Sequence, residues 1–166
     1  MIRQRLIAAG AVGAMALAGA FIGTHEGEVR DVYLDIGGVP TYCFGGTRPT
    51  QSTYTEQECT TQLLRDTERH WQGIKHVVPE QAPDSVKAAM TSLAYNVGTG
   101  GFLHKSNPVL RPLSEGRWKD ACYAIAAPWV TSKGVAKGYR ATVGLRPIKG
   151  LENRRAAERD VCLSGL

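Results

Sequence analysis

The stretch HEGEVRDVYLDIGGVPTYCFGG, residues 25–46, decides how the rest of the chain reads. Residues 32–46 form two short extended stretches around Ile36-Gly37-Gly38, a glycine-containing hairpin connection. Pro40 restricts its neighbourhood to an edge or a strand start. Glu26 and Asp35 flank the start of this hairpin, and Thr41 follows on the returning strand. Two carboxylates and a hydroxyl around a cleft suit cleavage of a glycosidic bond. One carboxyl must give a proton to the leaving oxygen, and the other, ionised, must orient water or stabilise the developing oxocarbenium charge. Glu26, ending an apolar run, fits the acid; Asp35, on a polar hairpin, fits the ionised partner; Thr41 fits a holder of the water. The spacing alone is a weak signal, because among 15 acidic residues two neighbours are usually a solvated pair.

Upstream of Glu26 the chain changes character. Arg3 and Arg5 precede LIAAGAVGAMALAGAFIGT, residues 6–24, which carries no charge. Its 19 residues make a helix of ~28 Å, close to the hydrocarbon thickness of a bilayer. The positive flank places the N-terminus in the cytoplasm and everything after Thr24 outside. Yet the run is a poor anchor. Leu6, Ile7, Val12, Leu17, Phe21 and Ile22 contribute roughly −3 kcal/mol together, and Gly10, Gly13, Gly19 and Gly23 oppose insertion. Such a segment can enter a bilayer and also leave it. A cleaved signal peptide is the competing reading, because Ala18-Gly19-Ala20 is an A-x-A site. A buried cytosolic helix is the third, and the arginine flank and length argue against it.

Downstream, Thr53 with Glu56 or Thr55 with Glu58 offers a capping box for a helix reaching about His76. Leu63, Leu64, Thr67, Trp71 and Ile74 form its apolar face. Asp84 opens a second helix with Val86, Met90, Leu93, Ala94 and Val97 on one face, stopped by Gly98. Residues 118–129 read as a helix ended near Pro128, and residues 151–163 as a final helix rich in Ala, Arg and Glu. Gly98-Thr99-Gly100-Gly101 lacks the GK[ST] ending of a phosphate loop and reads as turn chemistry. Trp118 and Trp129 read as core rather than as sugar platforms. The sum is an α+β fold, a small β-hairpin lobe and a larger helical lobe with a cleft between them.

The 166 residues suit one domain with a short appendage. A formal charge of +5 favours an anionic partner. The basic residues are spread rather than blocked, which argues against nucleic acid. Cys43, Cys59, Cys122 and Cys162 form no CxxC pair and the four His are scattered, so no metal and no cofactor is expected. Four cysteines in an exported chain suggest two disulfides, with three possible connectivities; four buried thiols are the alternative. The pairs Cys43–Cys59 and Cys122–Cys162 are favoured, the first closing a short loop over the candidate site at ~3 kcal/mol.

With these residues in place, the chain resembles the phage-type lysozymes, glycoside hydrolase family 24. That signature is Glu-Gly, then Tyr-x-Asp, then Gly-x-Pro-Thr-x-x-x-Gly. Glu26-Gly27, Tyr33-Leu34-Asp35 and the run from Gly38 to Gly45 match it. LAYNVGTGGF, residues 93–102, and GLENRRAAER, residues 150–159, also look like the family. The resemblance implies that Glu26 is the general acid, Asp35 the carboxylate that orients water, and Thr41 the third member of the site. It implies a peptidoglycan substrate, the β-1,4 bond between N-acetylmuramic acid and N-acetylglucosamine, inversion, and a monomer. A lytic transglycosylase and a non-catalytic wall-binding protein are the rivals.

Where the family usually has Gly-His, this chain has Gly45-Gly46, and residues 133–149 match poorly. Arg154 and Arg155 read either as neighbours of the acid, by similarity, or as an exposed salt-bridged helix face. A lysozyme fold begins with a helix that delivers the catalytic Glu, so removing residues 6–23 would remove that helix. The chain therefore looks like a signal-anchor-release endolysin. Residues 1–24 are the anchor segment, inserted in the host inner membrane through 6–24, and 25–166 are the catalytic domain, released to the periplasm. No Cys lies before residue 25, so thiol exchange with a cysteine in the anchor is excluded and refolding of the released segment remains.

Overall fold

The computed structural model describes residues 1–35, 37–126, 129–131, 134–136, 142–143 and 146–166, with backbone only from 129 to 147. It contains two compact units, Met1–Arg69 and His70–Leu166.

The first unit opens with helices α1 (Ile2–Ala8) and α2 (Gly13–Glu26). The uncharged N-terminal run is thus two helices, not one. The break is a Schellman turn: Gly10 at φ +93° lets the Ala11 N–H reach the Leu6 carbonyl and its own N–H reach Ile7. Leu6 is fully buried, and its Cδ1 lies 3.2 Å from where a Gly19 side chain would begin. At Gly23 the same position is 3.0 Å from both Ile2 and Leu63. Gly19 and Gly23 are therefore notches into which apolar side chains pack.

Arg5 closes the arrangement. It pairs with Glu28 at 2.6 Å and Glu56 at 2.8 Å, and donates to the Thr60 hydroxyl. No described helix is long and apolar enough to cross a membrane.

The hairpin follows as β1 (Val29–Leu34) and β2 (Pro40–Cys43), antiparallel, with Tyr33 opposite Thr41 and Leu34 opposite Pro40. Ile36, part of the expected turn, lies outside the described residues. Residues 52–54 bond back onto β1 through Val32 N–H to Ser52 and Tyr54 N–H to Arg30. Helix α3 (Glu56–Ile74) is capped by Thr55 and Glu58. Thr55 N–H donates to Glu58 Oε2 at 2.7 Å, and Glu58 N–H donates back to Thr55 Oγ1 at 3.2 Å. The Thr55 N–H and the Thr55 hydroxyl, both donating to Glu58 Oε2, hold that carboxyl below its ordinary pKa.

In the second unit α4 (Asp84–Val97) is buried on nearly every side, including Ser85, Thr91 and Ser92, beyond the single face its apolar spacing suggests. Around it lie α5 (Thr99–Phe102), α6 (Leu110–Ser114), α7 (Trp118–Ile125) and α8 (Lys149–Leu163). Their core includes Met90, Leu93, Phe102, Leu113 and Ile125, with Trp118 packed against it.

Helix α7 ends at Ile125, four residues short of the expected 129, and Ala126 is already extended. A proline at 128 cannot continue the N–H ladder, and Trp129 begins a strand instead. Three-residue strands β3 (Trp129–Thr131) and β4 (Gly134–Ala136) pair, as do β5 (Thr142–Val143) and β6 (Arg146–Pro147). The remainder of the poorly matched 133–149 region, and the Trp129 side chain, lie outside the described residues.

The disulfides are Cys43–Cys59 and Cys122–Cys162, the pairing expected from the sequence.

Candidate active site

Glu26 is the last residue of α2 and is half-buried. Gly27 follows at φ +74°, a conformation open to glycine, and no atom outside the local chain would crowd a side chain there. The Glu-Gly pair is thus a helix stop that leaves a carboxyl at the turn into β1. Glu26 Oε2 lies 3.7 Å from where a Gly45 side chain would begin, so the end of the hairpin abuts the helix end.

Asp35 and Thr41 sit on the hairpin itself. Asp35 Oδ1 accepts the N–H groups of Gly37 and Val39, each at 2.8 Å. Two amide donors suit an ionised carboxylate and leave Oδ2 outside these bonds. Thr41 is buried, and its hydroxyl donates to the Val39 carbonyl at 2.9 Å. Its proton is committed to protein, so towards a water it acts as an acceptor. The hairpin brings Asp35 and Thr41 together; the contact at Gly45 ties Glu26 to its far end.

At Gly46, where the family usually has histidine, the space for a side chain is occupied. A side chain at Gly46 would begin 2.6 Å from Tyr42 Cε1, so the tyrosine ring fills that space. Tyr42 stacks on Tyr54 with centroids 4.2 Å apart. Between Tyr42 and Gly46, which exchange both backbone bonds at 2.9 Å, the chain makes a tight loop. Cys43 takes φ +53° there, and its disulfide to Cys59 on α3 holds it.

In the second unit, the family-like segments around 93–102 and 150–159 meet. Glu158, fully buried, accepts Ser92 Oγ at 2.7 Å, Arg155 at 2.9 Å and Arg154 at 3.3 Å. Arg155 also donates to Asn96 Oδ1 at 3.1 Å. Burial pushes the Glu158 carboxyl up, and the two guanidinium groups oppose that. The exposed-face reading of Arg154 and Arg155 is therefore corrected: both are buried around one carboxylate. The sequence carried part of the signal, since 154 and 155 precede 158 by four and three positions and so share a helix face with it.

The family described as phage lysozyme matches residues 23–158. A SAR-endolysin of Bacteriophage PS119 is 34% identical over 99% of this chain and 95% of its own. A SAR-endolysin of Enterobacteria phage P21 is 32% identical over 99% of this chain and 96% of its own. The active form of the P1 phage endolysin Lyz superposes with a TM-score of 0.74 at 25% identity, covering 98% of this chain and 93% of that one. The α+β architecture is that of a lysozyme. This chain belongs to the phage lysozyme family: it is a cell-wall-lytic glycoside hydrolase whose substrate is peptidoglycan.

Proposed function

We propose that the chain is a muramidase that hydrolyses the β-1,4 bond between N-acetylmuramic acid and N-acetylglucosamine with inversion. Glu26 protonates the glycosidic oxygen as the bond breaks. The Asp35 carboxylate takes one proton from a water on the opposite face of the sugar as its oxygen bonds to the anomeric carbon, and the Thr41 hydroxyl accepts a hydrogen bond from that water's remaining O–H. The observation that carries this reading is the pairing of Asp35 and Thr41 through Val39, directly after a helix that ends on Glu26. A lytic transglycosylase needs no positioned water, so it leaves this pairing without a role.

The test is Glu26→Gln assayed by release of reducing ends from purified walls, with product mass spectrometry. Near-complete loss, and hydrated rather than anhydro-sugar ends from the wild type, is the expected result. Full activity in the variant sinks the assignment.

We further propose that residues 1–24 are a signal-anchor segment, inserted in the host inner membrane with the N-terminus cytoplasmic, and that 25–166 are the catalytic domain. Release to the periplasm then lets the anchor refold. That its relatives are SAR-endolysins supports this. So does the packing of Leu6 and Ile2 into the Gly19 and Gly23 notches, which gives the released residues a folded destination. The protein acts as a monomer and without nucleic acid. N-terminal sequencing of the periplasmic protein separates this from signal-peptidase cleavage: an intact start supports release, and a start at Phe21 overturns it.

A further inference from the structure

Beside the candidate acid lies a groove with no assigned role. It is about 750 Å³, and it runs between residues 45–54 and one face of α3 from Gln57 to Arg69. That face is ~18 Å long. Gly45, which abuts Glu26, forms one part of its wall, so the groove opens next to the proposed cleavage point. At Gly46 the Tyr42 ring takes the space a side chain would fill, so this part of the wall is aromatic.

Three guanidinium groups line it, those of Arg48, Arg65 and Arg69, against two carboxylates that are already engaged. Glu58 belongs to the capping box with Thr55. Asp66 is buried, accepts Gln62 Nε2 at 2.6 Å, and lies 3.4 Å from Arg65 and 3.6 Å from Arg69. Arg65 and Arg69 each turn one nitrogen to Asp66, Arg65 also donates to the Tyr42 hydroxyl at 3.4 Å, and a guanidinium carries five N–H donors. Asp66 therefore orients the two arginines without saturating them. Arg48 makes no ion pair or hydrogen bond among the described residues. The stacked rings of Tyr42 and Tyr54 add apolar wall to this cationic rim.

Uncharged sugars gain little from three cations. The carboxylates of peptidoglycan lie on the peptide branches that leave the muramic acid. We propose that this groove binds the carboxylate-bearing stem peptide of the substrate, with Arg48, Arg65 and Arg69 as its anion donors and Asp66 as their positioning partner. The inference rests on the lysozyme reading and adds a peptide subsite to it. Binding there selects walls whose peptides are intact.

The experiment is amide chemical-shift mapping of the full chain with a soluble stem tetrapeptide bearing free carboxylates. Saturable shifts at Gly45, Gly46, Thr47 and Tyr54 are expected, with affinity roughly tenfold weaker in R65E/R69E and weaker again for the fully amidated peptide. R48A, a single exposed change, is expected to weaken binding too and guards against misfolding of the double variant. Shifts absent from this region overturn the proposal. So do equal binding of the amidated peptide, equal binding by both variants, or the same shifts from a glycerol phosphate oligomer. Failure of the lysozyme reading would show differently, as wild-type protein that releases no reducing ends from any wall.

Discussion

Asp35 and Thr41 are coupled through one residue: Val39 donates its N–H to the Asp35 carboxylate and accepts the Thr41 hydroxyl on its carbonyl. A carboxylate and a hydroxyl six residues apart in sequence are thereby held as a unit by the hairpin backbone. The backbone bond from Asp35 N–H to Val39, at 3.1 Å, closes the same turn without either side chain. The side-chain bonds can therefore be removed while the turn remains.

That separation gives the first prediction. Thr41→Val keeps the β-branched shape in a buried site and removes only the hydroxyl, so wall hydrolysis should fall at least ~10-fold. Asp35→Asn should fall ~100-fold or more, as loss of a general base does. Reducing-end assays beside thermal melts check this. A melting point lost together with activity would point to a structural role instead.

A second prediction concerns Gly46. Gly46→Ala places a methyl 2.6 Å from the Tyr42 ring and should cost about 1–3 kcal/mol by overpacking. In a Tyr42→Ala background the same change should cost almost nothing. Urea unfolding of the four proteins of this cycle measures the coupling. Restoring the family's histidine at 46 in the native background should destabilise for the same reason.

The two disulfides should separate stability from activity. Their sequence separations are 16 and 40, for which chain entropy gives about 3 and about 4 kcal/mol. Removing Cys122–Cys162 should lower Tm somewhat more. Removing Cys43–Cys59 should lower activity more, because Cys43 holds the loop that carries Gly45 against Glu26. Paired alanine variants, compared by calorimetry and wall clearing, decide between these.

Release should depend on the notches. Gly23→Leu adds about −0.5 kcal/mol to insertion and crowds Ile2 and Leu63 in the folded unit. It should shift the protein toward the membrane fraction and delay lysis. Thr24→Leu adds apolar surface at an exposed position and should do less. Equal effects of both would mean that hydrophobicity alone, and not packing, governs release. Arg5→Ala, which breaks the contacts to Glu28, Glu56 and Thr60, should slow refolding after release.

Much of this was legible locally. The hairpin followed from glycines and alternation, the main helices from apolar spacing, and the candidate site from residue types that suit one chemistry in one short stretch. Each depends on neighbours within a few positions, where propensity and turn chemistry act. The limits appear where two local solutions are equally good. Thr53-Glu56 and Thr55-Glu58 both fit a capping box, and only the fold commits Thr53 to Asp31 on β1, at 2.8 Å, leaving Thr55 to cap α3.

The sequence by itself indicated the hairpin, the main helices and the uncharged N-terminal run, and it favoured, among three cysteine pairings, the one the structure shows. Tertiary structure alone decided that this run breaks at Gly10, that Arg154 and Arg155 are buried around Glu158, and that Gly46 accommodates a ring. Each of these contacts lies within a few residues, but what covers it comes from elsewhere in the chain: Leu6 packs at Gly19, Ser92 of α4 donates to Glu158, and Tyr54 stacks on the Tyr42 ring.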